Sequence, residues 1–349
     1  MIENLKNAKV VLFGAGRNGT LMLKMLLDDG ITPDYFVDNS CMNGYVDISN
    51  KTQNKSVFPV KKPEEMLSED KTNLKIIITP SDPWFDEIKA QVKKMGLESC
   101  LYPDEHTFDS KCCPVCGDEF DTYLPFGIVS RKNSQCPNCH ALERHRALWL
   151  YIKNHTNILD ANNQAVKLKM LHFAPEPAIY NKIREYPHID YYPVDIDSSK
   201  AGLRDVVDIQ SIQYRDKMFD VIICNHVLEH IPDDYRAMRE MCRVLEKDGV
   251  AYISVPIKNM QSTFEDPAYN TPELRLLHYG QDDHVRIYGN DFLQRLRDSG
   301  FNADVIELAK GLTMYELYRY GLFRTSGSIF RCTATLKYDV HTIKGDKTQ

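Results

Sequence analysis

The chain has 349 residues, 43% of them hydrophobic, enough for two sizeable cores and a metal-stapled insert. Its 43 lysines and arginines stand against 49 aspartates and glutamates, a net charge of -6 with no dense basic run, which argues against a partner bound through its phosphates. No apolar run reaches the roughly 20 residues that span a bilayer, and the start MIENLKNAKVV lacks a signal-peptide pattern, so the expected compartment is cytoplasmic.

From the amino terminus, Ala8 to Phe13 reads as a strand, Gly14-Ala15-Gly16-Arg17-Asn18-Gly19 as a turn opening a helix, and Tyr35 to Asp38 as a second strand ending in an acid. GxGxxG between two strands, with an acid at this distance, is a dinucleotide fingerprint. Gly14, Gly16, Gly19 and Asp38 are therefore candidate nucleotide-binding residues. The alternative is a docking or vestigial role in which the glycines only permit tight packing. Lys75 to Thr79 reads as a later strand and Asp82 to Lys94 as a helix, completing a Rossmann-like domain over residues 1–106. It resembles the nucleotide- or CoA-binding-type domains found beside sugar-modifying enzymes.

Residues 107–150 carry two C-x2-C knuckles, Cys113-Pro-Val-Cys116 and Cys136-Pro-Asn-Cys139. Their separation fits a tetrahedral four-thiolate zinc ribbon, a closed site with no open coordination position, so zinc is expected to be structural. Cys112 offers a one-residue shift of register and His140 a competing ligand, neither with the better spacing. The other six of the ten cysteines are scattered, many in apolar segments, as reduced thiols would be. Leu142 to Tyr151 reads as a helix with an apolar face, on which Arg144 and Arg146 either grip an anionic acceptor or remain solvated or paired with acids.

The remaining residues, 151–349, read as a second α/β domain. Met170 to Phe173, Tyr191 to Asp195 and Val206 to Asp208 are short strands, the last two ending in carboxylates. Val221 to Cys224 is an apolar run suited to a strand buried on both faces, followed by Asn225, His226, Glu229 and His230 at its carboxyl end, where open α/β sheets place ligands. Tyr235, Met238, Met241, Cys242 and Leu245 have helical spacing, Lys247-Asp248-Gly249 supplies a stop, and Val250 to Val255 is the next strand.

The stretch FDVIICNHVLEHIPDDYRAMREMCRVLEKDGVAYISVP resembles the second half of a class I S-adenosylmethionine (SAM)-dependent methyltransferase. With LHFAPEP at 171–177, TFEDPAYNTPELR at 263–275 and YGQDDHVRIYGNDFLQRL at 279–296, it looks like one bacterial methyltransferase-domain family with an attached zinc segment, covering roughly residues 110–310. The resemblance implies SAM as cofactor, Asp195 on the ribose hydroxyls and Asp208 near the adenine, with Asn225 also at the cofactor. A standard first motif would carry an acid at His172 and glycines at Ala174 and Glu176. Here Glu176 is either a contact to the cofactor's cationic end or a helix-start carboxylate facing the macrodipole. Residues 198–204 are too short for a full crossover helix, which implies a trimmed fold.

His226, immediately past the fourth strand, is the leading candidate base, with His230 one helical turn on; either alternatively fixes the turn by hydrogen bonds. His284, Arg286 and Tyr288 share one side of an extended stretch and are candidate acceptor contacts, the alternative being an ion pair of Arg286 with Glu265, Asp266 or Asp283. Residues 301–308 and 328–338 read as the last two strands, the second antiparallel, and 311–323 as a helix covering the site. The expected protein is a SAM-dependent methyltransferase acting on a small molecule or glycan precursor. The competing reading is a nucleotide-sensing or scaffold protein whose methyltransferase domain lost activity with its glycine loop. RNA methylation, suggested by the ribbon, is disfavoured by the charge.

Overall fold

The computed structural model describes residues 3–28, 30–40, 44–47, 57–79, 84–102, 110–127, 130–161, 167–306, 312, 314–322 and 328–335. Two compact units are present: Met1–Arg146 with Ala309–Ser326, and Ala147–Leu308 with Gly327–Gln349.

The first unit holds α1 (Glu3–Lys6), β1 (Lys9–Phe13), α2 (Arg17–Asp28), β2 (Tyr35–Val37), β3 (Tyr45–Asp47), β4 (Val57–Lys61), β5 (Leu74–Ile78) and α3 (Trp84–Lys94). Its sheet runs β3-β4-β2-β1-β5, parallel except for β3 against β4. The apolar run of β1 is explained by burial on both faces. Val11 and Phe13 pack with Ile88 and Val92 of α3, whereas Val10 and Leu12 pack with Leu23 and Leu26 of α2. Burying each such side chain contributes about 1.5–3 kcal/mol. β3 and β4, absent from the sequence reading, are a short edge strand and its neighbour, without the continuous apolar run that marks β1.

The ribbon follows as two hairpins, β6 (Lys111–Cys112) with β7 (Glu119–Phe120) and β8 (Leu124–Phe126) with β9 (Arg131–Gln135), leading into α4 (Glu143–His155).

The second unit contains β10 (Leu168–Phe173), α5 (Pro177–Ile183), β11 (Ile189–Asp195), β12 (Asp205–Val206), β13 (Phe219–Asn225), α6 (Asp234–Val244), β14 (Leu245–Ser254), α7 (Pro272–Tyr279), α8 (Phe292–Asp298), β15 (Phe301–Ile306) and, near the carboxyl end, β16 (Ile329–Ala334). The strand order is β12-β11-β10-β13-β14-β16-β15, with β16 antiparallel to both neighbours. The order reverses beside β10, which places a crevice at the carboxyl ends of β10 and β13. α6 is started by Asp233, whose side chain accepts from the Arg236 amide, and its face of Ala237, Met238, Met241 and Val244 is buried in the sheet's core.

Lys247-Asp248-Gly249 does not end the helix, which stops at Val244. The pairing Phe219 to Leu245 is followed by Val221 to Val250, so residues 246–249 form an excursion within β14. Gly249 is needed there, because a Cβ would press on the Asp220 carbonyl at 3.0 Å. α9 (Met314–Arg319), read from the sequence as a cover for the site, is grouped with the first unit, where Arg319 pairs with Glu119 and Lys111 lies 5.5 Å over the Tyr318 ring. No helix among the described residues is long and apolar enough to cross a membrane.

Candidate active site and ribbon

The sulfurs of Cys113, Cys116, Cys136 and Cys139 lie within 4.8 Å of one another. Each knuckle closes through an amide bonded back to its first cysteine, Gly117 to Cys113 and His140 to Cys136. Both closing residues have a left-handed backbone, φ 85° and 61°. His140 is thus the counterpart of Gly117 and serves the turn, and the Cys112 sulfur faces the Gly117 carbonyl at 3.8 Å, outside the cluster. Burial, with the neighbouring Cys113 thiol adding to it, pushes the Cys116 pKa up to about 12. A soft divalent cation reverses this by taking thiolates, and the donor set fits structural zinc.

Arg146 is fully buried. Its guanidinium donates to the carbonyls of Ser134 (2.8 Å), Ala141 (2.6 Å), Tyr320 (2.8 Å) and Gly321 (3.1 Å) and stacks 3.9 Å over Tyr123. It stitches the ribbon to the returning segment and offers nothing to an anionic acceptor. Arg144 is half-buried on the same helix.

The GAGRNG turn also spends its groups on the protein. A Cβ at Gly19 would overlap the Gly14 carbonyl, whereas one at Gly16 would meet nothing within 4 Å. Asp38 accepts from the Ala15 amide (2.9 Å) and from the Ser40 amide and hydroxyl (2.9 and 2.5 Å). Burial works against its charge, yet these hydrogen bonds hold the carboxyl below its ordinary range.

At the ends of β10, β11 and β13 the arrangement differs. Ala174 has φ 45°, the left-handed conformation a glycine would supply, and its amide is held by the Val194 carbonyl at 2.9 Å. His172, fully buried, meets the Tyr191 hydroxyl through Nδ1 (2.8 Å) and Glu176 Oε2 through Nε2 (3.0 Å). Glu176 sits at the start of α5 but its side chain does not cap the helix. A carboxylate is therefore returned to position 172 by the residue four places on. Asp195 accepts from the Asp197 amide (2.9 Å) and from Lys200 (2.6 Å), a lysine side chain 53% exposed. Asp208 accepts from the Gln210 amide at 2.8 Å. The strand read over Val206 to Asp208 is Asp205–Val206, so Asp208 follows β12 by two residues, while the Val207 amide bonds the Asp195 carbonyl.

Asn225 is 5% exposed; its Oδ1 accepts from the Ser254 hydroxyl at 2.9 Å, while Nδ2 is buried without a hydrogen-bond partner. His226 follows at φ 52°, fixed by its amide to the Ser254 carbonyl, with Nδ1 3.2 Å from Glu229 Oε1. His230 Nδ1 lies 3.2 Å from Asp283 Oδ2, and its ring meets that of His284 edge to face with centroids 4.7 Å apart. Burial keeps the His284 pKa below that of an ordinary imidazole.

His284 thus joins the cluster, whereas Arg286 and Tyr288 turn inward. Arg286 binds Glu265 (2.8 Å) and the carbonyls of Leu228, Ile231 and Pro232 (3.0, 2.5 and 2.9 Å). Tyr288 donates to Asp234 at 2.8 Å, itself held bidentately by Arg295. Both tie the 284–288 stretch to the residues that follow β13. Glu229 has no assigned role in the sequence reading, although its spacing of three from His226 and one from His230 was the available signal.

A sheet of this order, with its seventh strand antiparallel and its polar residues at the carboxyl ends beside the reversal point, has the class I Rossmann-type architecture. Residues 179–253 match the family model described as "Methyltransferase domain". The second unit is a SAM-dependent methyltransferase domain of class I. Among solved structures, the chain is similar to an S-adenosylmethionine-dependent methyltransferase from Mesorhizobium loti (14% identity, TM-score 0.38, covering 53% of this chain and 97% of that one). It is likewise similar to the [4+2]-cyclase SpnF (14%, 0.35, 58% and 86%) and to the CurJ carbon methyltransferase (13%, 0.36, 51% and 51%). The strand order and the family match, not these distant likenesses, define the domain. No curated protein sequence matches the chain.

Proposed function

We propose that the enzyme transfers the methyl group of SAM to a small polar acceptor, sugar-linked precursors among them, and that zinc in the four-cysteine ribbon is structural. The observation that carries the reading is the set of buried polar atoms left unspent at the strand ends, Asn225 Nδ2 and Glu229 Oε2, beside the left-handed turn at Ala174. The inactive-domain reading requires that turn to be lost with its glycines, and Ala174 keeps its backbone conformation.

SAM supplies an electrophilic methyl group on a sulfonium. Asp195 offers two carboxylate oxygens for the ribose hydroxyls; its contact with exposed Lys200, of the kind worth about 0–1 kcal/mol, is readily exchanged. Exposed Ile196 beside it offers an apolar face, with Asp208 two residues past the end of the next strand. Glu176, oriented by His172, presents negative charge toward the cofactor's cationic end. His226 takes a proton from the acceptor at Nε2, because Glu229 beside Nδ1 holds the proton of the neutral ring on that nitrogen. Orientation of acceptor and donor supplies about 7–11 kcal/mol and general-base assistance about 10²–10⁴-fold.

The test is calorimetric titration of the purified chain with SAM and, separately, with NAD. SAM binding without NAD binding is the expected result. No SAM binding overturns the reading.

A further inference from the structure

The histidine cluster beyond β13 has the composition of a metal site distinct from the ribbon. One ligand atom from each of Glu229, His230 and His284 lies within 4.8 Å of the others. Glu229 is 1% exposed and His284 6%, so these donors have been taken out of water. Glu229 Oε1 faces His226, and Oε2 is buried without a hydrogen-bond partner. A buried carboxylate oxygen left unpaired is costly, and the usual remedies are a cationic partner or a metal.

The donors are also fixed from outside. Asp283 lies 3.2 Å from His230 Nδ1, the outer carboxylate that commonly orients a ligating imidazole. The Val285 amide bonds the Glu229 carbonyl at 2.9 Å, and Arg286 ties the 284–288 stretch to the carbonyls of Leu228, Ile231 and Pro232. The two segments that carry the donors are therefore held in place by the chain itself.

We propose that Glu229, His230 and His284 bind one divalent transition-metal ion in addition to the ion of the ribbon. Two imidazoles and one carboxylate suit Zn²⁺, Co²⁺ or Fe²⁺ and disfavour Mg²⁺ and Ca²⁺, which take oxygen shells. Three protein ligands leave coordination positions open, as at metal sites that bind a further molecule. The ion lies one turn from His226, so its open positions would take a hydroxyl or carboxylate oxygen of the acceptor, lower the pKa of a bound hydroxyl and fix its place. This last step rests on the methyltransferase reading; the metal site does not.

The test loads the wild-type chain with one equivalent of zinc and titrates it with Co²⁺ and, in parallel, with SAM. One Co²⁺ per chain is expected, lost in Glu229→Gln and in His284→Phe and about 10–100-fold weaker in Asp283→Asn. Absence of Co²⁺ binding, or binding that all three substitutions leave unchanged, overturns the site and means the histidines act as a proton relay alone. If the variants fail to fold, X-ray absorption at the cobalt edge of the wild-type chain decides: nitrogen and oxygen neighbours support the site, and sulfur neighbours alone mean that Co²⁺ has displaced ribbon zinc and overturn it. SAM binding without Co²⁺ binding removes the metal site and leaves the methyltransferase reading intact; the reverse removes that reading and leaves the site.

Discussion

The chain has two strand-turn-helix entries into Rossmann-type sheets, and they invert what their sequences suggest. GAGRNG carries every glycine of a nucleotide fingerprint, yet Gly19 is explained by the Gly14 carbonyl and Asp38 by three hydrogen bonds to Ala15 and Ser40. HFAPEP lacks the glycines, yet Ala174 supplies the backbone, Glu176 supplies the carboxylate, and unspent donors and acceptors stand at the neighbouring strand ends. A glycine motif reports that backbone must come close to something; whether that something is a ligand or the protein's own carbonyl depends on which polar groups remain after folding.

The largest effect that tests this contrast lies in the self-satisfied first unit. Cys136→Ser removes a thiolate from a site type worth about 10–16 kcal/mol in isolated fingers, so ribbon zinc should be lost and the ribbon unfold, whereas Cys112→Ser should keep its metal; elemental analysis reads both. Arg146→Ala strands four buried carbonyl partners and should cost about 3–5 kcal/mol, seen as a lower denaturant midpoint. Asp195→Ala should weaken SAM by about 1.5–3 kcal/mol in calorimetry while Asp38→Ala leaves it unchanged; equal effects would break the contrast outright. Gly19→Ala should destabilise by about 1–3 kcal/mol and Gly16→Ala by less than about 0.5, as thermal melts would show. The finest distinction is at Glu176→Gln, which keeps shape and removes charge. If Glu176 faces the sulfonium, SAM weakens more than S-adenosylhomocysteine; equal weakening assigns it to the amino group, and no change assigns it to His172 alone.

Much of the fold was legible because long apolar strands and one strongly amphipathic helix dominate it. Val221 to Cys224, the helix after Asp233 and the two cysteine knuckles were readable from period and spacing alone. β3 and β4 were not, since they are short, and Val57–Lys61, with Pro59 inside, has neither a continuous apolar run nor an alternating one. The positions of Asp195 and His226 at strand ends were legible, because they stand next to apolar runs. Arg286 takes the ion pair with Glu265 that was its alternative reading, and Tyr288 is buried against Asp234, because alternation tells which side a residue takes, not whether that side is solvent or the carbonyls of residues 228–232. Glu229 went without a role because its importance comes from three imidazoles, one of them contributed by a loop more than fifty residues away.

The path of the chain carries a final consequence. β15 and β16 are antiparallel neighbours, yet the residues between them include Ala309–Ser326, which belongs to the first unit. Neither unit is a continuous piece of polypeptide. On the ribosome, the ribbon and Arg146 must wait for about 175 further residues before Tyr320 and Gly321 exist, roughly 9–35 seconds at ordinary synthesis rates. During that interval the buried guanidinium has only half of its carbonyl partners, and Leu317 and Leu322 have not yet arrived to be buried. Expression of residues 1–146 alone would freeze the chain at that incomplete stage, so trimming this protein at the apparent domain border should yield aggregation rather than a working half.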